Sequence, residues 1–173
     1  MFLSPTAVIM PKARSVIAYG GNLGEVRSNI KAALELIAAH PEIELIANSS
    51  LYESMALTPE GIDPSKPRYL NGVAILETSL KPKQLLRFLN EVENHFGRIR
   101  LQRWASRTLD LDIITYGDQF VEKKTLVIPH PRAKDRAFVL VPWAEIDPAA
   151  VLPGAGLVAE LASPMSGEVW RSE

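Results

Sequence analysis

Apolar positions along the chain follow two different periods. Val26, Ile30, Ala33, Leu34 and Ile37 recur at helical spacing and predict an amphipathic helix ending near His40-Pro41. Leu85, Leu86, Leu89, Val92 and Phe96 predict a second, with Pro82 suited to its first position and Gly97 to its stop. Strands are predicted at Val16 to Tyr19, Ile43 to Tyr52, Tyr69 to Leu76 and from Asp110 onward. Gly20 to Gly24 reads as a turn. The polar stretch from Ser54 to Arg68, with Pro59, Gly61, Pro64 and Pro67, reads as a long loop of the kind that is often functional. Phe120-Val121 and Thr125 to Ile128 predict an added hairpin, and Phe138 to Ile146 a short helix packed on the sheet. Residues 1–14 read as a loose extension, 15–162 as a single domain and 163–173 as a tail with no assigned role.

The element order is strand, helix, strand, strand, helix, strand. This predicts an α+β fold, a ferredoxin-like βαββαβ sandwich with a mainly antiparallel sheet and helices on one face. The added hairpin and a C-terminal helix complete it. No internal repeat or low-complexity segment interrupts the order.

Composition narrows the classes. A chain of 173 residues with 47% hydrophobic and 23% charged residues suits one globular domain. A net charge of −1 argues against a general polyanion binder, so clustered arginines mark a local site. The lack of cysteine removes disulfides and thiol chemistry and fits a cytoplasmic setting. No apolar run approaches a membrane span. The start lacks a basic region ahead of its apolar residues and does not read as a signal peptide.

The strand from Asp110 carries the candidate chemistry. Period two puts Asp110 and Asp112 on one face and Leu109, Leu111 and Ile113 on the other. Adjacent like charges repel. A solvated outer face and a divalent-cation site are both open, and oxygen ligands of this kind suit Mg²⁺. The upstream segment favours the cation: Arg98, Arg100, Arg103 and Arg107 fall between Glu93 and Asp110 with no acidic residue among them. Arginine at each of these places suits bidentate binding of phosphate. Paired carboxylates with arginines are what phosphoryl-type transfer requires.

Other positions carry weaker signals. Asn71 shares a face with Val73 and Ile75, and a buried amide there needs a partner from a neighbouring loop or from a ligand. Asn90 and Glu93 read as helix surface. His130 stands near Arg132 and Arg136, so a structural and a phosphate-binding role are both open. The glycine-rich turn at 20–24 is not a P-loop, because no Lys-Ser/Thr pair follows it.

The run Arg103-Trp104-x-x-Arg107-Thr108-Leu109-Asp110-Leu111-Asp112-Ile113 resembles the signature of the 6-hydroxymethyl-7,8-dihydropterin pyrophosphokinase family. So do Pro129-His130-Pro131-Arg132 and the run Arg136-x-Phe138-Val139-Leu140, and the resemblance spans about Val16 to Pro153. It implies transfer of diphosphate from ATP to the hydroxymethyl group of the reduced pterin in folate biosynthesis, releasing AMP. It implies that Asp110 and Asp112 hold two Mg²⁺ ions and share the catalytic work with Arg98 and Arg107. It places Glu93, Arg100, Arg107, His130 and Arg136 at the nucleotide, and Ser54, Leu57, Tyr69, Asn71, Trp104 and Phe138 at the pterin. The loop from Arg98 to Thr108 would close over both. Two departures stand out: Gly21 where the family has Ser, and Ser54-Met55 where it usually has Thr-Pro. The partners implied are small molecules, with no nucleic acid or membrane, in a monomer or weak homo-oligomer. The alternatives are a nucleotide- or RNA-binding module of the same fold and a Mg²⁺-dependent kinase with another acceptor.

Overall fold

The computed structural model describes residues 11–97 and 107–173. Arg98, Arg100, Arg103 and Trp104, singled out from the sequence, lie outside them.

The first strand, β1 (Ala13–Gly21), is buried on both faces: Ile17 and Tyr19 point to one side, Val16 and Ala18 to the other. It starts two residues before the domain boundary expected from the sequence. Helix α1 (Val26–Ala38) follows and buries Ile30, Ala33 and Ile37, with Val26 and Leu34 packed at the edge of the same core. The strand expected over Ile43 to Tyr52 is broken into β2 (Ile43–Asn48) and β3 (Tyr52–Ser54). Ser49 causes the break. Its hydroxyl accepts the Val73 N–H at 3.0 Å and donates to Ser50 O at 2.7 Å, taking a place in the ladder that backbone would otherwise fill.

The long loop contains a two-residue ladder, β4 (Leu57–Thr58) with β5 (Gly61–Ile62). Strand β6 (Tyr69–Thr78) is the centre of the sheet, and helix α2 (Pro82–His95) begins at the expected proline. Strand β7 (Asp110–Tyr116) follows, then the hairpin β8 (Val121–Lys123) and β9 (Leu126–Ile128). Helix α3 (Ala137–Ile146), the pair β10 (Val151–Leu152) and β11 (Gly156–Leu157), helix α4 (Val158–Ala162) and strand β12 (Val169–Arg171) complete the described chain.

The main sheet runs β12-β3-β6-β1-β7, with β2 also on β6, and every pairing is antiparallel. Helices cover both of its faces, not one. α1 and α2 pack on the face of Ile17, Leu76, Leu109 and Leu111. α3 and α4 pack on the face of Val16, Val73, Ile75 and Ile114. The reason lies in the strands: where apolar side chains alternate to both sides, both sides need cover. Each fully buried Leu or Ile contributes roughly 1.5–3 kcal/mol.

Two ties fix the second layer. Glu145 of α3 accepts from the Tyr52 hydroxyl at 2.6 Å, from Ser50 N at 3.0 Å and from Ser50 Oγ at 2.8 Å. Burial and that carboxylate push the Tyr52 hydroxyl up to about 12, so it stays a donor. The tail is the second tie. β12 pairs with β3, Trp170 Nε1 donates to Glu53 at 3.2 Å, and the Arg68 guanidinium lies 4.7 Å from the Trp170 ring centroid. Of residues 163–173, Val169–Arg171 are thus part of the sheet. Three residues are too few to reveal a period in the sequence.

Candidate active site

Directly paired residues of a sheet share a face. Tyr52 pairs with Asn71, Asn71 with Gly20, and Gly20 with Asp110. The next row is Ala18 with Asp112. One face, toward its open end, therefore presents Asn71 and the two carboxylates with only Gly20 between them. Asn71 and Asp110 are roughly 10 Å apart at Cα, two interstrand spacings. Glycine is required in that gap: a Cβ at residue 20 would sit 2.8 Å from Asn71 Oδ1 and 2.9 Å from Leu70 O.

The acceptor side of this row is tightly bonded. Asn71 is buried, and its Nδ2 donates to Ser54 Oγ at 2.9 Å and to Tyr52 O at 3.3 Å. Both amide protons are spent on β3, which leaves Oδ1 as the polar atom available to a ligand. Ser54 pairs with Tyr69, so β3 and β6 bring Ser54, Tyr69 and Asn71 together. Leu57 stands apart from them. It is 54% exposed on its small ladder, opposite an Ile62 that is 68% exposed.

The charged side is built by β7 and the segment after β9. Arg107 Nη1 donates to Asp110 Oδ2 at 2.5 Å, and Arg136 Nη1 lies 3.8 Å from Asp112 Oδ2. Burial, then the charge of Asp110, pushes the Asp112 carboxyl up to about 6 against the opposing pull of Arg136. His130 is placed by its backbone N–H, which donates to Ile114 O at 2.9 Å. Burial, then Arg136 and Arg132, lowers its imidazole to about 4, so it is neutral at pH 7. Its Nδ1 accepts from Arg132 N at 3.1 Å, which puts the ring proton on Nε2 as a donor. Arg136 also lies over the ring of Phe138, 5.4 Å from its centroid, and so links the phosphate and pterin candidates.

Among the described residues, no group of three or more His, Asp or Glu side chains could hold a metal alone. Asp110 and Asp112 nevertheless fit Mg²⁺. That ion keeps several waters and takes one or two carboxylates together with substrate phosphates.

Glu93 departs from the helix-surface reading. It has no exposed area, and its Oε1 accepts the Leu111 N–H at 2.7 Å. β7 is the edge of the sheet, so this carboxylate takes a backbone donor that no neighbouring strand reaches, midway between the two aspartates. The signal was in the sequence: Glu93 falls four residues after Leu89 and eight after Leu85, on the buried stripe. A separate concavity of about 350 Å³, lined by His40, Glu42, Gln84, Arg87, Phe88 and Glu91, shares no residue with this site.

Known proteins resemble this chain in sequence and in fold. A family model described as 7,8-dihydro-6-hydroxymethylpterin-pyrophosphokinase matches residues 16–148. The chain is 44% identical over 154 residues to a 2-amino-4-hydroxy-6-hydroxymethyldihydropteridine pyrophosphokinase of Synechocystis sp., covering 89% of this chain and 76% of the relative. It is 43% identical over 156 residues to the enzyme of that name from Pseudomonas aeruginosa, covering 89% and 94%. A Plasmodium falciparum HPPK-DHPS crystal structure superposes with a TM-score of 0.70 at 11% identity, over 93% of this chain and 47% of that one, and shows the shared fold. The present chain thus spans about half the length of that solved chain. The match over residues 16–148, together with these identities, makes the chain a member of the 7,8-dihydro-6-hydroxymethylpterin pyrophosphokinase family.

Proposed function

We propose that the row Asn71–Gly20–Asp110 is the axis of the reaction, with the pterin held at the Asn71 end and the ATP phosphates at the Asp110 end. The family's reaction is ATP-dependent diphosphate transfer in folate biosynthesis. The one-strand separation between a buried amide and a carboxylate pair is the observation that carries this placement. Asn71 Oδ1 and Ser54 meet the polar edge of the pterin, while Tyr69 and Phe138 meet its flat faces. Leu57, exposed on its ladder, closes the outer wall.

The hydroxymethyl oxygen attacks the β-phosphorus of ATP, its bond to the α-phosphate bridging oxygen breaks, and AMP leaves. Asp110 and Asp112 would hold two Mg²⁺ ions, which when bound would neutralise phosphate charge and make the acceptor hydroxyl easier to deprotonate. Arg107 and Arg136 hold the two carboxylates in place and face the developing charge. His130 offers its Nε2–H to a phosphate oxygen as a neutral donor. Glu93 acts from behind: by fixing Leu111 it fixes the spacing of the aspartates. Arg98, Arg100 and Trp104 belong to the same proposal, on the family resemblance alone. The RNA-binding alternative gains no support, because helices cover one face of β1 and β6 fully and the other in part, and the open part carries two carboxylates rather than exposed aromatics. A cytoplasmic monomer or weak homo-oligomer completes the proposal, supported by the use of ATP and the lack of cysteine; among the described residues no helix is long and apolar enough to cross a membrane.

Product analysis tests the reading. AMP, and not ADP, should appear from ATP and Mg²⁺ only when 6-hydroxymethyl-7,8-dihydropterin is added. ADP formation, or AMP formation without the pterin, would overturn it.

A further inference from the structure

Asn22, in the turn after β1, lies outside the row described above but touches the chain on both sides of it. It is 7% exposed. Its Oδ1 accepts the Arg107 N–H at 3.0 Å, and its Nδ2 donates to Pro67 O at 3.3 Å. Its own N–H and that of Leu23 both donate to Arg107 O, at 2.9 and 3.2 Å. The neighbouring Gly21 makes this approach possible, since a Cβ there would lie 2.8 Å from Thr108 O and 3.0 Å from Arg107 O.

The two bonded residues lead into different strands, Pro67 into β6 and Arg107 into β7. Arg107 carries the guanidinium that holds Asp110. Pro67 closes the polar loop two residues before Tyr69, at the acceptor wall. Only a side chain with one acceptor and one donor on the same short stem makes both contacts, and an asparagine amide is that group. We propose that Asn22 is a positioning residue that fixes the acceptor wall relative to the phosphate-side carboxylates by bridging Pro67 and Arg107. This rests on the reading given under Proposed function.

The two halves of the bridge separate by substitution. Asn22→Asp keeps an acceptor for the Arg107 N–H but loses the donor to Pro67 O. Asn22→Ala loses both. Steady-state kinetics with each substrate varied in turn, with Tm measured alongside, read the outcome. For Asn22→Asp we expect the pterin KM to rise about tenfold, the equivalent of one lost hydrogen bond, with the ATP KM unchanged. For Asn22→Ala we expect kcat to fall as well, on the order of a hundredfold, as misplaced reacting groups do. A merely structural asparagine would lower Tm and leave kcat and both KM values within about twofold, and that result overturns the proposal. A rise in the ATP KM alone for Asn22→Asp overturns it too. Should Asn22→Ala not fold, Asn22→Asp, of equal volume, decides the matter. If the unsubstituted protein made no AMP, the functional reading would fall and this proposal with it. If it is active, the variants judge the proposal alone.

Discussion

Beneath α1 and α2 the sheet is closed by Ile17, Leu76, Leu89, Leu109 and Leu111, with at most a few percent of any of them exposed. Beneath α3 the same strands are closed only part of the way. Val16, Val73, Ile75 and Ile114 meet Leu140 and Trp143, and beyond them the face turns to Asn71, Gly20 and Asp110. The difference is set by a few positions on shared strands, because a period of two lets one strand be wholly apolar on one side and end in carboxylates on the other. The first face holds the protein together. The second spends part of its area on groups that stay polar until substrates arrive. Among the described residues, Glu93 is the one carboxyl group sunk in the first layer, and it serves the second: it grips the edge strand between the aspartates.

Substitutions on opposite faces should therefore fail in different ways. The largest effect is expected at Asp112. Asp112→Asn should lower kcat/KM by about 10²–10³-fold or more, on the scale of losing a preorganised charge contact in a transition state. Its Tm should hold or rise, because a crowded carboxylate is removed. Asp110→Asn should lose as much activity and also some stability, since Arg107 loses its partner. Equal Tm changes in the two variants would break this distinction.

Next comes the opposite face. Leu89→Ala should cost about 2–5 kcal/mol in denaturant unfolding and leave both KM values unchanged, since Leu89 packs only in the α1/α2 layer. A clear rise in either KM would show that the two layers are not separable.

Asn71→Leu should be smaller and selective. Its ligand-facing oxygen and its bonds to β3 are lost together, so pterin binding should weaken by about 1–3 kcal/mol while ATP binding holds. Calorimetry showing both ligands equally weakened would make Asn71 a general strut.

The smallest effect concerns pH. The folded state raises the Asp112 carboxyl from an ordinary 3.8 to about 6. Its contribution to stability is thus fully present below the ordinary value and is lost as pH rises through 6. The Tm of Asp112→Asn, relative to the parent without metal, should climb in the variant's favour between pH 4 and 6. Mg²⁺-dependent nucleotide binding should weaken as pH falls below about 6, because the ion must displace a proton. A Tm difference that is flat with pH would show that the carboxyl is not raised.

Much of this could be read in the sequence where the signal is local. The Asp-x-Asp alternation placed both carboxylates on one face, and the helical stripes of α1 and α2 placed their cores. Asn71 was visible as a polar residue in an apolar row. What stayed hidden depends on contacts between distant segments. The cover on the second sheet face, the split of the strand at Ser49 and the Asn22 bridge all join residues that no window of sequence contains. Glu93 is a different case: its spacing marked it as buried, but its carboxyl group argued the other way, and only its bond from the Leu111 N–H resolves that conflict.

The pairing of β12 with β3 joins residues well over a hundred apart, as Trp170 and Glu53 are at a separation of 117. Long-range pairings of this kind form late, after the loop between them has been closed. During translation the strand bearing Asp110 and Asp112 leaves the ribosome well before β12 does. A nascent chain can therefore complete its α1/α2 layer while the outer edge of β3, backing the acceptor wall, is still an unpaired strand. That edge is a site for mispairing with other chains until β12 arrives.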